Sequence, residues 1–145
     1  MIPRMKKNNS PERNVSTVLA VLFLSSITCM NWINLESENQ LLDIQKKSHS
    51  STVLIFKHST RCSISRTALD RLERNWNADE FEEIQPYFLD LIANRNISNL
   101  VAEDFQVEHQ SPQVLLIRNG KSIYNRSHFE IDYKSIKQEI LETNR

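Results

Sequence analysis

One residue in this chain has both the type and the setting for covalent chemistry. Cys62 lies in the polar run His58-Ser59-Thr60-Arg61-Cys62-Ser63, between an apolar stretch and a helical pattern. The thiolate, not the thiol, is the nucleophile of thiol–disulfide exchange. A helix start exposes unpaired N–H groups and a positive partial charge, and both favour the thiolate. Arg61 is adjacent and Arg66 lies one turn on, so two cations surround the sulfur. Ser65, at i+3, offers a hydroxyl toward the same spot. The competing reading is that Cys62 is a small buried apolar residue. Its polar neighbours, and its place off the Ile64–Ala68–Leu72 stripe, favour the reactive one.

The spacing C-x-x-S settles a second point. Ser65 stands where a dithiol enzyme keeps its resolving cysteine, so no disulfide cycle can close within the motif. The other cysteine is Cys29, which could resolve Cys62 only if the N-terminal segment folds back. His58 has two readings: a charge or hydrogen bond that tunes the sulfur, or a partly buried strand-end residue. His49, His109 and His128 have no metal-ligand spacing, and no Ser-His-Asp arrangement is legible. No metal site or bound cofactor is expected.

Composition narrows the classes further. The chain has 145 residues, 39% of them hydrophobic and 25% charged, which suits one globular domain. Lys+Arg and Asp+Glu are both 18, so the basic excess that nucleic-acid binding usually needs is missing. There is one glycine, Gly120. A Walker loop or a dinucleotide-binding GxGxxG needs more. Two cysteines cannot make a disulfide scaffold.

The elements that must hold Cys62 follow from periodicity. Glu36–Lys47 reads as a helix, with acids early and lysines late. Thr52–Lys57 is a nearly unbroken apolar run, as in a strand buried on both faces. His58–Arg61 is a short loop, and Ser63–Asn75 an amphipathic helix ending near Trp76. Pro86 introduces a second strand over Tyr87–Ile92. Asn96 caps a helix over Ile97–Phe105. Pro112 introduces a third strand, Gln113–Arg118, and Asn119-Gly120 turns it into a fourth, Lys121–Asn125. Asp132 caps a last helix carrying Tyr133, Ile136 and Ile140. The order implies an α/β fold with parallel first strands, an antiparallel final hairpin and an extra N-terminal helix. A four-stranded mixed sheet flanked by helices in this order is the thioredoxin-like arrangement.

Ser111-Pro112 at the mouth of the third strand is the second element of the site. Read alone, it is an ordinary trans strand opener. In a thioredoxin-like fold the same position holds a cis proline, beside which a thiol substrate pairs with the preceding residue. The stretch Phe56–Ser65, containing Lys57-His58-Ser59-Thr60-Arg61-Cys62, resembles the active-site segment of the YtxJ family, the monothiol bacilliredoxins. His109-Gln110-Ser111-Pro112-Gln113-Val114-Leu115-Leu116-Ile117, with Asn119-Gly120-Lys121, is similar to that family's cis-proline strand and hairpin. Asn31–Leu35 and Ser127-His128-Phe129 resemble further family motifs. Ser63 stands where the family often has proline.

This resemblance implies a glutaredoxin-like oxidoreductase with one working cysteine, Cys62. Its substrate would be a mixed disulfide between a client protein and the small thiol bacillithiol, which also serves as co-substrate. Arg61, Ser63, Ser111 and Pro112 would contact substrate, with His58, Thr60, Ser65 and Arg66 in support. Two other functions stay open: a non-catalytic thioredoxin-like interaction module, and a thiol redox sensor that turns over no substrate.

Residues 1–29 differ from the domain at 30–145. They carry Arg4, Lys6, Lys7 and Arg13 against one acid, Glu12, and then the apolar run Val18–Leu24. Seven apolar residues are too few for a bilayer span, which takes ~20. The basic flank and short apolar run suit a signal peptide, and Cys29 would be the acceptor if the segment were a lipoprotein leader. The family resemblance begins at Met30, and favours a cytoplasmic protein with residues 1–29 as an upstream extension.

Overall fold

The computed structural model describes residues 29–145. The leader-like stretch at 1–28 lies outside the described residues. Strand β1 (Ile33–Asn34) is followed by α1 (Glu38–Lys47), β2 (Val53–His58), α2 (Ser63–Asn75), β3 (Gln85–Asp90), α3 (Arg95–Asp104), β4 (Gln113–Arg118), β5 (Lys121–Ser127) and α4 (Tyr133–Thr143). The sheet order is β1-β3-β2-β4-β5. β1 and β2 run parallel to β3, β4 runs antiparallel to β2, and β5 antiparallel to β4.

The fold class is as expected, but the sheet has five strands rather than four. The added strand is β1, whose two residues pair with Tyr87 and Phe88. Two residues carry no periodicity, so the sequence gives no sign of it. β3 starts earlier than expected and contains Pro86 instead of following it. β1 begins only opposite Tyr87, so one flank of β3 is open at Pro86. A missing N–H is tolerated at such an edge. α3 starts at Arg95, with Asn94 rather than Asn96 at its N-cap. Asp90 is the cause. Its carboxylate accepts Ile92 N–H at 3.0 Å and its carbonyl accepts Asn94 N–H at 2.9 Å, so the turn closes and the helix begins at once.

Both faces of the central strands are covered. Leu54, Phe56, Val114 and Leu116 pack with Ala68 and Leu72 of α2 and Ile136 and Ile140 of α4. Val53, Ile55, Leu115 and Ile117 point the other way, onto Leu41 and Ile44 of α1 and Ile97 and Val101 of α3. The twofold alternation of a strand thus places a helix layer on each side, and the unbroken apolar runs follow from it. α1 starts with a Ser37–Gln40 capping box, and Asp132 accepts Ser135 N–H at the start of α4 at 3.0 Å. Among the described residues no helix is long and apolar enough to cross a membrane.

The β2–β4 register builds the site. Lys57 pairs with Gln113 in antiparallel sense. The chain leaving β2 toward Cys62 and the chain entering β4 through Pro112 therefore emerge at the same end of the sheet. At the opposite end, Asn119 (φ 51°) and Gly120 (φ 71°) make the β4–β5 turn. Ser48 ties this turn to the end of α1, accepting Asn119 N–H on its carbonyl and Gly120 N–H on Oγ, both at 2.8 Å. A Cβ on Gly120 would meet only the His49 ring, at 3.8 Å, so the conformation rather than space limits the position. Gly120→Ala is expected to cost ~1–2 kcal/mol, read as a lower urea midpoint with an unchanged slope.

Candidate active site

β2 ends at His58, and the chain turns through Ser59, Thr60 and Arg61 to reach α2. Cys62 is the N-cap residue of α2, with extended backbone (φ −107°, ψ 120°) and no side-chain capping bond. Its N–H donates to Ser59 O at 3.1 Å, and its carbonyl accepts Arg66 N–H at 3.1 Å, which starts the helix. The thiol is free and half-buried. The N-cap position, where a capping hydroxyl or carboxylate usually stands, is thus held by a cysteine.

Arg61, Ser63 and Arg66 are exposed around it, as is Thr60. The one ion pair among the described residues joins Lys137 and Glu80, so neither arginine has an acidic partner there. Ser65 is fully buried, and its hydroxyl is engaged away from the sulfur. It accepts Ser59 N–H at 3.0 Å and lies 2.8 Å from His58 Nδ1. This corrects the expectation of a hydroxyl aimed at Cys62; Ser65 fastens the turn that carries it. His58 occupies the strand-end position, buried against Phe88 with ring centroids 5.2 Å apart. Burial holds its imidazole below the ordinary range, with Asp90 opposing, so it brings no fixed charge to the site at neutral pH. Trp32 extends the aromatic cluster, 6.0 Å from both Phe56 and Phe88, and its indole N–H donates to Glu73 Oε1 of α2 at 2.7 Å.

Across the gap, the Ser111–Pro112 peptide bond is cis. Pro112 is buried at the mouth of β4, and its carbonyl accepts His128 N–H at 3.0 Å. Ser111 is partly exposed, and its Oγ has no hydrogen-bond partner. Cys29 is exposed and sits with Trp76, Ala78 and Phe81. That is the far end of α2, whose 13 residues span ~20 Å. The two cysteines thus lie at opposite ends of one helix, an arrangement that does not let Cys29 resolve Cys62. Among the described residues no group of three or more His, Cys, Asp or Glu is placed to hold a metal ion.

Two residues beside this site escaped the sequence reading. Lys57 is fully buried, on the face of β2 opposite Phe56, with Nζ 2.7 Å from His109 Nδ1 and 3.4 Å from the carbonyl oxygen of Ser98. Its burial was implied by its place in an apolar run whose strand is covered on both sides. The partner was not, because Lys57 and His109 are 52 residues apart. Gln113 was also missed as a support. Its buried side chain accepts Gln110 N–H at 3.3 Å and donates to Glu108 O at 3.0 Å, bracing the loop before Pro112.

Comparison with known proteins agrees with this geometry. A family model described as monothiol bacilliredoxin BrxC matches residues 33–136, in line with the resemblance read from the sequence. A solved protein assigned as an oxidoreductase with a thioredoxin fold is 28% identical, with TM-score 0.63, covering 74% of this chain and 92% of its own. Thioredoxin from Trypanosoma brucei brucei (16% identity, TM-score 0.62, 79% and 92% covered) and the Malassezia sympodialis thioredoxin Mala s 13 (15%, 0.60, 77% and 90%) share the fold.

The buried lysine makes stability pH-dependent. Burial, helped by Arg95, lowers Lys57 from 10.5 to about 8. The native state therefore holds a costly ammonium below pH 8 and sheds it before the unfolded chain does. Lys57→Met removes that cost. Between pH 8 and 10.5 the stability of wild type is expected to gain on the order of 2 kcal/mol relative to Lys57→Met. Urea titrations of both proteins across that range measure the difference.

Proposed function

The chain belongs to the monothiol bacilliredoxin family BrxC, and from that premise we propose that it removes bacillithiol from protein mixed disulfides through Cys62 alone. The observation that carries this reading is the position of Cys62. Cys62 occupies the N-cap position of α2, its side chain free of any capping bond, and the proline-led start of β4 emerges at the same sheet end. Thiol redox chemistry is the coarse function that the family and the fold support. The bacillithiol step is the finer reading.

In that step the Cys62 thiolate attacks the bacillithiol sulfur of the mixed disulfide. The client–bacillithiol S–S bond breaks, and a Cys62–bacillithiol disulfide forms. The client sulfur leaves as a thiolate and takes a proton from solvent. A second bacillithiol thiolate then attacks the bacillithiol sulfur of the adduct, which frees Cys62 and yields bacillithiol disulfide. The net exchange turns the client–bacillithiol disulfide and one free bacillithiol thiol into a client thiol and bacillithiol disulfide, and no second cysteine of this chain takes part. Thiolate attack, leaving group and access govern both exchanges. The client segment docks beside Ser111 and Pro112, and Ser63 lines the approach to the sulfur. Arg61 and Arg66 are exposed, without acidic partners among the described residues, and suit the malate carboxylates of bacillithiol. His58 and Ser65 hold the turn, on which Thr60 is exposed beside Arg61. A cytoplasmic site of action goes with this chemistry.

Two outcomes test the reading. Wild type should reduce a bacillithiolated protein in the presence of bacillithiol, and Cys62→Ser should lose more than 99% of that rate. Retained activity in Cys62→Ser would overturn the assignment. Arg61→Ala should raise KM for the bacillithiolated protein several-fold while leaving reduction of an uncharged mixed disulfide, such as a β-mercaptoethanol adduct, within twofold. Equal losses on both substrates would remove the anion-contact role.

A further inference from the structure

We infer that buried Lys57 and half-buried His109 form a clamp that positions the 108–112 loop, and with it Ser111 and Pro112, and that the clamp opens when His109 takes a proton on Nδ1. The inference rests on the docking role proposed for that loop, but its physical core does not depend on the substrate. Lys57 Nζ lies 2.7 Å from His109 Nδ1. A lysine ammonium has donors and no acceptor. His109 Nδ1 must therefore present a lone pair, which puts the ring proton on Nε2. Ser98 Oγ lies 3.3 Å from the same nitrogen, and the Ser98 carbonyl accepts a second proton of Lys57. The loop is thus tied to β2 and α3 at His109, three residues before Pro112.

The surrounding charges set the direction of the switch. Those acting on His109 are Lys57 from β2 and Arg95 from α3, both cationic. Glu108, its neighbour in the loop, is exposed and braces the loop only through its main chain. Asp104, at the end of α3, is hydrogen-bonded to Gln45 of α1. A proton on Nδ1 would set two donors face to face at 2.7 Å and add a third positive charge beside the other two. Burial first, then Lys57 and Arg95, accordingly hold His109 below the ordinary imidazole value of 6.5. Alkali has no matching effect, because a neutral amine can still donate one proton to Nδ1. His128 touches the same loop at Gln110 Oε1, 3.1 Å away. That oxygen is an acceptor, so His128 keeps its bond when protonated. Acid release therefore belongs to His109 and not to His128.

Nuclear magnetic resonance of the whole chain from pH 5 to 9 tests this without any substrate. At pH 7, His109 should be the Nε2–H tautomer. On acidification below 6.5 the amide signals of residues 108–111 should shift together with the His109 ring. In His109→Asn, whose amide oxygen can accept from Lys57 and takes no proton, those signals should stay fixed. In Lys57→Met, amide exchange in the loop should be at least tenfold faster at pH 7. An Nδ1–H tautomer at pH 7, or a His109→Asn loop that titrates like wild type, would overturn the clamp. Both readouts stand if Lys57→Met does not fold. A second arm measures function: KM for the bacillithiolated protein should rise as the pH falls from 7.5 to 5 in wild type and rise less in His109→Asn. Absence of bacillithiol activity at every pH would refute the proposed reaction, whereas the resonance results judge the clamp.

Discussion

A helix that starts where a buried strand ends leaves its first N–H groups without partners, and something must meet them. At the start of α2 that position belongs to a cysteine, and no capping hydroxyl or carboxylate competes with it. The rest of the site is arranged around this choice. Ser65, one turn into the helix, is used to fasten the approach turn instead of capping. His58 is kept neutral by burial. The nearby cations are surface arginines, free to meet a charged ligand. The sulfur gains its setting from backbone geometry, not from a dedicated catalytic base.

The second constraint is the sheet. Because β2 and β4 are antiparallel neighbours with Lys57 opposite Gln113, Cys62, four residues past the end of β2, and Pro112, one residue before β4, are brought to one edge. A nucleophile on one chain segment and a docking edge on another are thereby fixed by hydrogen-bond register. Two helix layers then cover both faces of the central strands, which makes a lysine within β2 an anomaly. Its amine is satisfied by the Ser98 carbonyl and by His109 of the loop that leads into β4, so this buried cation is tied to the docking edge.

Much of this was legible in the residues. Apolar runs gave β2 and β4, and Ala68 and Leu72 gave α2, although Ile64 of the expected stripe is exposed and Ser65 is buried in its stead; Asn119-Gly120 gave the hairpin through two positive φ angles. Cys62 was found from its place between a strand and a helix. What stayed hidden depended on contacts distant in sequence or too short to carry a period. β1 has two residues and exists only through its pairing with β3. The α3 start was displaced by a side-chain turn at Asp90. The direction of the Ser65 hydroxyl was set by His58 and Ser59, which a spacing rule cannot see. The Lys57–His109 contact needs the folded chain, although the lysine's burial could have been read from its neighbours.

The central claim is that Cys62 takes the bacillithiol sulfur and lets the client leave as a free thiol. The most direct test is a single turnover with a bacillithiolated protein and no added bacillithiol, quenched with acid and mapped by peptide mass spectrometry. Bacillithiol is expected on the peptide containing Cys62, matched by an equal amount of released client thiol, with Cys29 unmodified. An adduct on Cys29, a disulfide between Cys62 and the client itself, or no transfer at all would contradict it.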